Sequence, residues 1–150
     1  MNNENRILIV DDDDTIRSTM KAILEDEGYE VDLAASGKEG VQKAKETSYN
    51  IALLDIRLPD MEGVELLGRM KDSIPRMRKI MVTGFPSLQN AVEAVNKSAD
   101  AYLIKPVDVD KLLATVKEQL QKQEEDKKFS EQKVADFIES RVKEISVNQI

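Results

Sequence analysis

The hydrophobic pattern of the chain switches repeatedly between short apolar runs and helical spacing. Arg6–Val10 is a β-branched-rich run that ends in four aspartates, Asp11 to Asp14. Ile16, Met20, Ile23 and Leu24 then recur at helical spacing, which predicts a helix over Thr15–Glu27 stopped by Gly28. In Glu30–Ala35, Val31, Leu33 and Ala35 alternate with polar neighbours, as in an outer strand. Ser36 and Glu39 have capping-box spacing, and a helix follows to about Thr47. Ile51–Leu54 is continuously apolar, which fits a strand buried on both faces, and it ends at Asp55 before the turn-formers Pro59, Asp60 and Gly63. Val64, Leu66, Leu67 and Met70 predict a helix closing before Pro75. Lys79–Val82 is another buried strand, ending at Thr83-Gly84. Pro86 suits the first turn of a helix through Ala91, Val92 and Val95. Ala101–Ile104 is a last strand, running into Lys105-Pro106. Asp108 is placed to cap a helix carrying Val109, Leu112, Leu113, Val116 and Leu120.

Strict alternation of strand and helix predicts an α/β fold with a parallel five-stranded sheet covered by helices on both faces. The expected arrangement is flavodoxin-like, (βα)5 with strand order 2-1-3-4-5, whose switch point lies between strands one and three. Beyond Leu120 the pattern changes. The stretch 121–132 is highly charged, and Phe129, Val134, Phe137, Ile138, Val142 and Ile145 then mark an amphipathic helix. The expected division is a domain over 1–123 and a charged helical extension or linker over 124–150. The apolar face of that extension either packs back on its own domain or binds a partner.

Composition removes several chemistries. The 150 residues contain neither Cys nor His, which excludes disulfides, thiolate or imidazole metal sites, and Ser-His-Asp or Cys-His catalysis. A net charge of −7 disfavours direct contact with nucleic acid. No apolar run is long enough to span a bilayer and Met1–Asn5 is not a signal segment, so a cytoplasmic location without membrane contact is expected.

Carboxylate, hydroxyl and ammonium groups remain. With strands one and three adjacent, Asp11, Asp12 and Asp55 meet at one sheet edge, with Thr83 and Lys105 ending the next two strands. An aspartate after a strand ordinarily caps a turn, and a lysine before proline is ordinarily a surface group. Four strand ends that each present a required group favour a site. Clustered carboxylates repel and should raise one another's pKa, and Mg²⁺ would relieve the repulsion while holding a phosphoryl group. Asp55 is then a candidate nucleophile forming an aspartyl-phosphate, with Lys105 and Thr83 binding phosphoryl oxygens.

Val10–Asp12, Leu53–Gly63 (LLDIRLPDMEG), Val82–Gly84 and Tyr102–Pro106 (YLIKP) follow in order and spacing the pattern of the receiver domain of two-component response regulators. The chain resembles that family over roughly Arg6 to Gln121, closest in style to receivers of nitrogen-regulator-class activators. The resemblance implies a signalling switch rather than an enzyme with a separate substrate. Asp55 would accept its phosphoryl group from a sensor histidine kinase or phosphotransfer protein. Asp12 would bind Mg²⁺ directly, Asp11 through water, and the Arg57 carbonyl would complete the protein ligands. Thr83 and Tyr102 would form the switch pair, and Lys105-Pro106 would be cis. Output would pass through helix four, strand five and helix five to a partner, or to a second copy held there or by the C-terminal helix. Phe85 would shield the acyl phosphate, so Phe85→Ala should lose phosphate faster.

Two rivals fit less well. A haloacid-dehalogenase-type phosphohydrolase needs a second Asp two residues after its nucleophile, where this chain has Arg57. A flavin-binding flavodoxin needs a Ser/Thr/Gly-rich phosphate loop after strand one, where this chain has four Asp. The extension is too short for a helix-turn-helix or ATPase output domain and the GxxxxGK pattern is absent, leaving a single-domain regulator or part of a longer one.

Overall fold

The computed structural model describes residues 5–70, 76–84, 87–96 and 99–148. Met1 to Glu4, Pro75, Phe85, Pro86 and the side chain of Val95 lie outside the described residues, and with them the shielding expected of Phe85. Five strands, β1 (Arg6–Val10), β2 (Glu30–Ala34), β3 (Ile51–Asp55), β4 (Arg78–Thr83) and β5 (Ala101–Ile104), form one sheet in the order β2-β1-β3-β4-β5. Every pairing is parallel, as the alternation of elements requires. The helices are α1 (Asp14–Asp26), α2 (Gly37–Glu46), α3 (Gly63–Arg69), α4 (Leu88–Asn96) and α5 (Val109–Asn148).

The apolar runs are continuous because each central strand is buried on both faces. Leu8, Val10, Ala52 and Leu54 pack with Leu66 and Leu67 of α3 and Ala94 of α4. Ile7, Ile9, Ile51 and Leu53 point the other way, against Met20 and Leu24 of α1 and Leu112 and Val116 of α5. Caps set the helix starts. Asp13 accepts from Ile16 N at 3.0 Å and Ser36 Oγ from Glu39 N at 3.2 Å. Glu39 departs from the expected capping box: its carboxylate reaches past Ser36 to Ala35 N, at 3.1 Å. Gly28 closes α1 at φ 93, a conformation that excludes most side chains.

β4 begins one residue earlier than its apolar run, at Arg78. Arg78 and Lys79 are buried there, with Arg78 3.3 Å from Asp100 and Lys79 N donating to Asp100 at 2.8 Å.

The C-terminal region is helical through its described length. α5 is one helix of 40 residues, roughly 60 Å long at 1.5 Å per residue. It crosses 123–124 without interruption, and Gln123, read from sequence as part of a charged stretch, is buried. Its amide donates to Asn50 O at 3.1 Å and Arg76 O at 2.7 Å, and accepts from Asn50 Nδ2 at 2.9 Å. These bonds tie the helix to the amino end of the sheet. Beyond them Phe129, Val134, Phe137, Ile138, Val142 and Ile145 are exposed, so the apolar face of the extension does not pack on its own domain.

Candidate functional site

Strand register brings the reactive groups together. Val10 pairs with Leu54, so the next residues, Asp11 and Asp55, emerge side by side. Asp55 pairs with Val82, and Thr83 with Ile104, which places Thr83 and Lys105 at the following two strand ends. Lys105 Nζ lies 2.8 Å from Asp11 Oδ2 and 3.3 Å from Asp55 Oδ2. One ammonium therefore serves two buried carboxylates. Asp12 is exposed, but oxygen atoms of Asp11, Asp12 and Asp55 all lie within 4.8 Å of one another.

The electrostatics follow from this crowding. Burial raises the Asp55 pKa, and the neighbouring Asp11 charge raises it further; Lys105 and the Arg57 N–H, 3.3 Å from Oδ1, oppose the shift. Burial alone would lower the Lys105 pKa, but Asp11 and Asp55 outweigh it and the net direction is upward. Asp11 is held by the Asp13 N–H at 2.9 Å on its other oxygen. The site is thus an all-oxygen carboxylate set in which Lys105 bridges the two buried acids. That donor set suits a hard divalent ion such as Mg²⁺.

Thr83 is fully buried, and its carbonyl accepts from Lys105 N at 2.7 Å. Tyr102 is half-buried, its buried hydroxyl has no hydrogen-bond partner among the described residues, and burial raises its pKa. The Lys105-Pro106 bond is cis. Arg57 lies two residues beyond Asp55, with its backbone bridged to Glu62. Sequence reading missed Arg17, whose guanidinium donates to Asp11 O at 2.7 Å; nothing in the local pattern distinguishes it from a surface arginine on α1.

The loop after Asp55 closes tightly, with Gly63 N donating to Ile56 O at 2.6 Å. A Cβ at residue 63 would run into the Asp55 carbonyl and Ile56 Cα, which are backbone and cannot swing aside. Gly63→Ala is therefore expected to cost about 3 kcal/mol, the upper end for overpacking, in urea unfolding. A loss below about 1 kcal/mol would show that the loop yields.

A family model described as the response regulator receiver domain matches residues 7–117. The transcriptional regulatory protein ZraR of Klebsiella oxytoca is 40% identical over 114 residues, which are 76% of this chain and 26% of ZraR. The alginate biosynthesis transcriptional regulatory protein AlgB of Pseudomonas putida is 38% identical over 117 residues, 77% of this chain and 26% of AlgB. The chain thus spans about a quarter of the length of these relatives. Among solved structures, a CheY-like response regulator receiver domain protein from Methanospirillum hungatei JF-1 superposes with a TM-score of 0.79 at 52% identity, covering 83% of this chain and 99% of that one. NtrX from Brucella abortus in complex with ADP gives 0.79 at 27% identity, covering 85% of this chain and 30% of that one.

Proposed function

Because the chain belongs to the response regulator receiver family, we propose that it is a phosphorylation-driven switch in which Asp55 accepts a phosphoryl group from a phosphohistidine on a sensor kinase or phosphotransfer protein. The observation that carries this reading is the shared ion pair, with Lys105 2.8 Å from Asp11 and 3.3 Å from a buried Asp55. A carboxylate oxygen of Asp55 attacks phosphorus, a P–O bond forms, and the P–N bond to the donor imidazole breaks. The imidazole leaves with the electron pair and takes up a proton. The donor histidine comes from the partner, since this chain has none. Lys105 turns from Asp55 to a phosphoryl oxygen, and Thr83 donates its hydroxyl to another. Asp11, Asp12, Asp55 and the Arg57 carbonyl would hold Mg²⁺, which neutralises charge on the acids and the phosphoryl oxygens when bound. The chain assists only its own phosphorylation and dephosphorylation.

Movement of Thr83 toward the phosphoryl group opens space for the Tyr102 ring, and burial of that ring reshapes α4, β5 and the start of α5. That face already presents exposed Leu88, Val92, Ile104 and Val109. It is the output surface, for a partner or a second copy, and the bare stripe of the C-terminal helix is the other candidate dimer face. In this reading 1–123 is the receiver and 124–150 the extension. Its setting is the cytoplasm; among the described residues no helix is long and apolar enough to cross a membrane. The −7 charge disfavours direct nucleic-acid contact by these residues.

Acetyl phosphate with Mg²⁺ is expected to add one phosphoryl mass to the intact chain, labile to hydroxylamine, and EDTA should prevent it. Labelling that is absent, or unaffected by EDTA, would sink the reading. Light scattering with Mg²⁺ and beryllofluoride separates the outputs: a size increase assigns self-association, and an unchanged monomer with a shifted Tyr102 NMR signal assigns a heterologous partner.

A further inference from the structure

Asp60 sits at the tip of the β3–α3 loop, and its carboxylate is spent on a different part of the chain. Oδ1 accepts from Gly37 N at 2.8 Å and Oδ2 from Lys38 N at 2.9 Å. Those are the first two residues of α2, whose amides have no partner within the helix. The helix's own cap, Ser36, serves Glu39 N. Asp60 therefore completes the cap of α2 from 22 and 23 residues away. The neighbouring Met61 side chain lies directly over Gly37, where a Cβ would have no room. Two adjacent loop residues thus grip the start of α2.

The loop is otherwise closed on itself. Leu58 N donates to Met61 O at 3.2 Å, Arg57 bridges Glu62, and Gly63 N reaches Ile56 O. The hydrogen-bonded closure fixes the shape of the loop, and the grip of Asp60 and Met61 fixes its tip against the body of the domain. Arg57 lies inside the segment held this way.

We infer that Asp60 is a positioning residue for the cation site: by latching the loop tip to α2, it holds the Arg57 carbonyl where a Mg²⁺ ion can use it. This rests on the reading of Asp11, Asp12, Asp55 and Arg57 as the Mg²⁺ site. Although Asp60 is exposed, the Lys38 and Gly37 N–H groups hold its carboxyl below the usual carboxylate range.

The test is calorimetric titration with Mg²⁺ alone, beside thermal melts, on wild type, Asp60→Ala, Asp60→Asn, Ser36→Ala and Asp12→Asn. Asp60→Ala loses both bonds and should bind Mg²⁺ about 10-fold more weakly, in the range seen when groups that orient metal ligands are removed. Asp60→Asn keeps one acceptor and should fall between Asp60→Ala and wild type. Ser36→Ala frays the same helix end without touching the loop, and should lower the melting temperature while leaving Mg²⁺ affinity unchanged. Equal weakening in Asp60→Ala and Asp60→Asn would reduce the effect to lost charge and overturn the inference. Wild-type affinity in Asp60→Ala, or weakening in Ser36→Ala to match it, would overturn it as well. Asp12→Asn separates the two levels: if it binds Mg²⁺ as wild type does, the metal reading itself falls, and the latch with it.

Discussion

Asp55→Asn is expected to abolish phosphorylation by acetyl phosphate and, at neutral pH, to make the folded protein more stable. The first effect is loss of the nucleophile, and incorporation should drop to background, since an amide oxygen is too weak a nucleophile to replace it. The second follows from the crowded acids. Burial and the Asp11 charge raise the Asp55 pKa above its value in the unfolded chain. The folded state then holds its proton at a pH where the unfolded state has lost it. Stability therefore falls as pH rises from the ordinary carboxylate range through the raised folded value. Asparagine removes that penalty and leaves Lys105 to Asp11, its nearer partner at 2.8 Å. The gain should be on the order of 1 kcal/mol at pH 7 and should vanish below pH ~4, where both states of the parent are protonated. Thermal melts at the two pH values check it. Equal melting temperatures of parent and variant at pH 7 would mean that Lys105 fully compensates both acids.

The strand order and the identity of the clustered groups were legible because both depend on local pattern. Ile51–Leu54 carries the two-sided burial of a central strand in its own composition, and Asp55 follows it directly. Once β1 and β3 are neighbours, register alone sets Asp11 beside Asp55. What escaped depends on distant partners. Asp60 reads as a turn residue, and only the folded loop shows that both its oxygens serve α2. Gln123 reads as solvated helix, yet it is buried, with its amide donating to Asn50 O and Arg76 O at the amino edge of the sheet. The apolar spacing of 129–145 announced an amphipathic helix without saying where its face would point. The answer came from the anchoring of α5 at Gln123, which carries the stripe past the domain into solvent.

Lys105→Met should destabilise the protein in EDTA and should be rescued by Mg²⁺. Methionine keeps the side chain as far as Cε and removes the charge that Asp11 and Asp55 share. Breaking a fully buried ion pair costs about 3–5 kcal/mol, because the remaining charge has neither solvent nor partner. Here the Lys105 side chain is 18% exposed, and the acids can take up protons, so about 2 kcal/mol is the expected loss at pH 7. A divalent cation supplies the missing charge to the same two carboxylates. Ligand binding stabilises the folded state by RT ln(1 + [L]/Kd), so a variant in which no ammonium competes for Asp11 and Asp55 should gain more from Mg²⁺ than the parent does. Urea unfolding of both proteins across a Mg²⁺ titration reads this directly: the two stabilities should converge as Mg²⁺ rises. Phosphorylation should still be impaired at saturating Mg²⁺, because Lys105 has a second task at the phosphoryl oxygen that the metal does not take over. Equal Mg²⁺ stabilisation of parent and variant would place the ion away from Asp11 and Asp55. Full recovery of phosphorylation with Mg²⁺ would instead leave Lys105 only its role as counter-charge in the metal-free state.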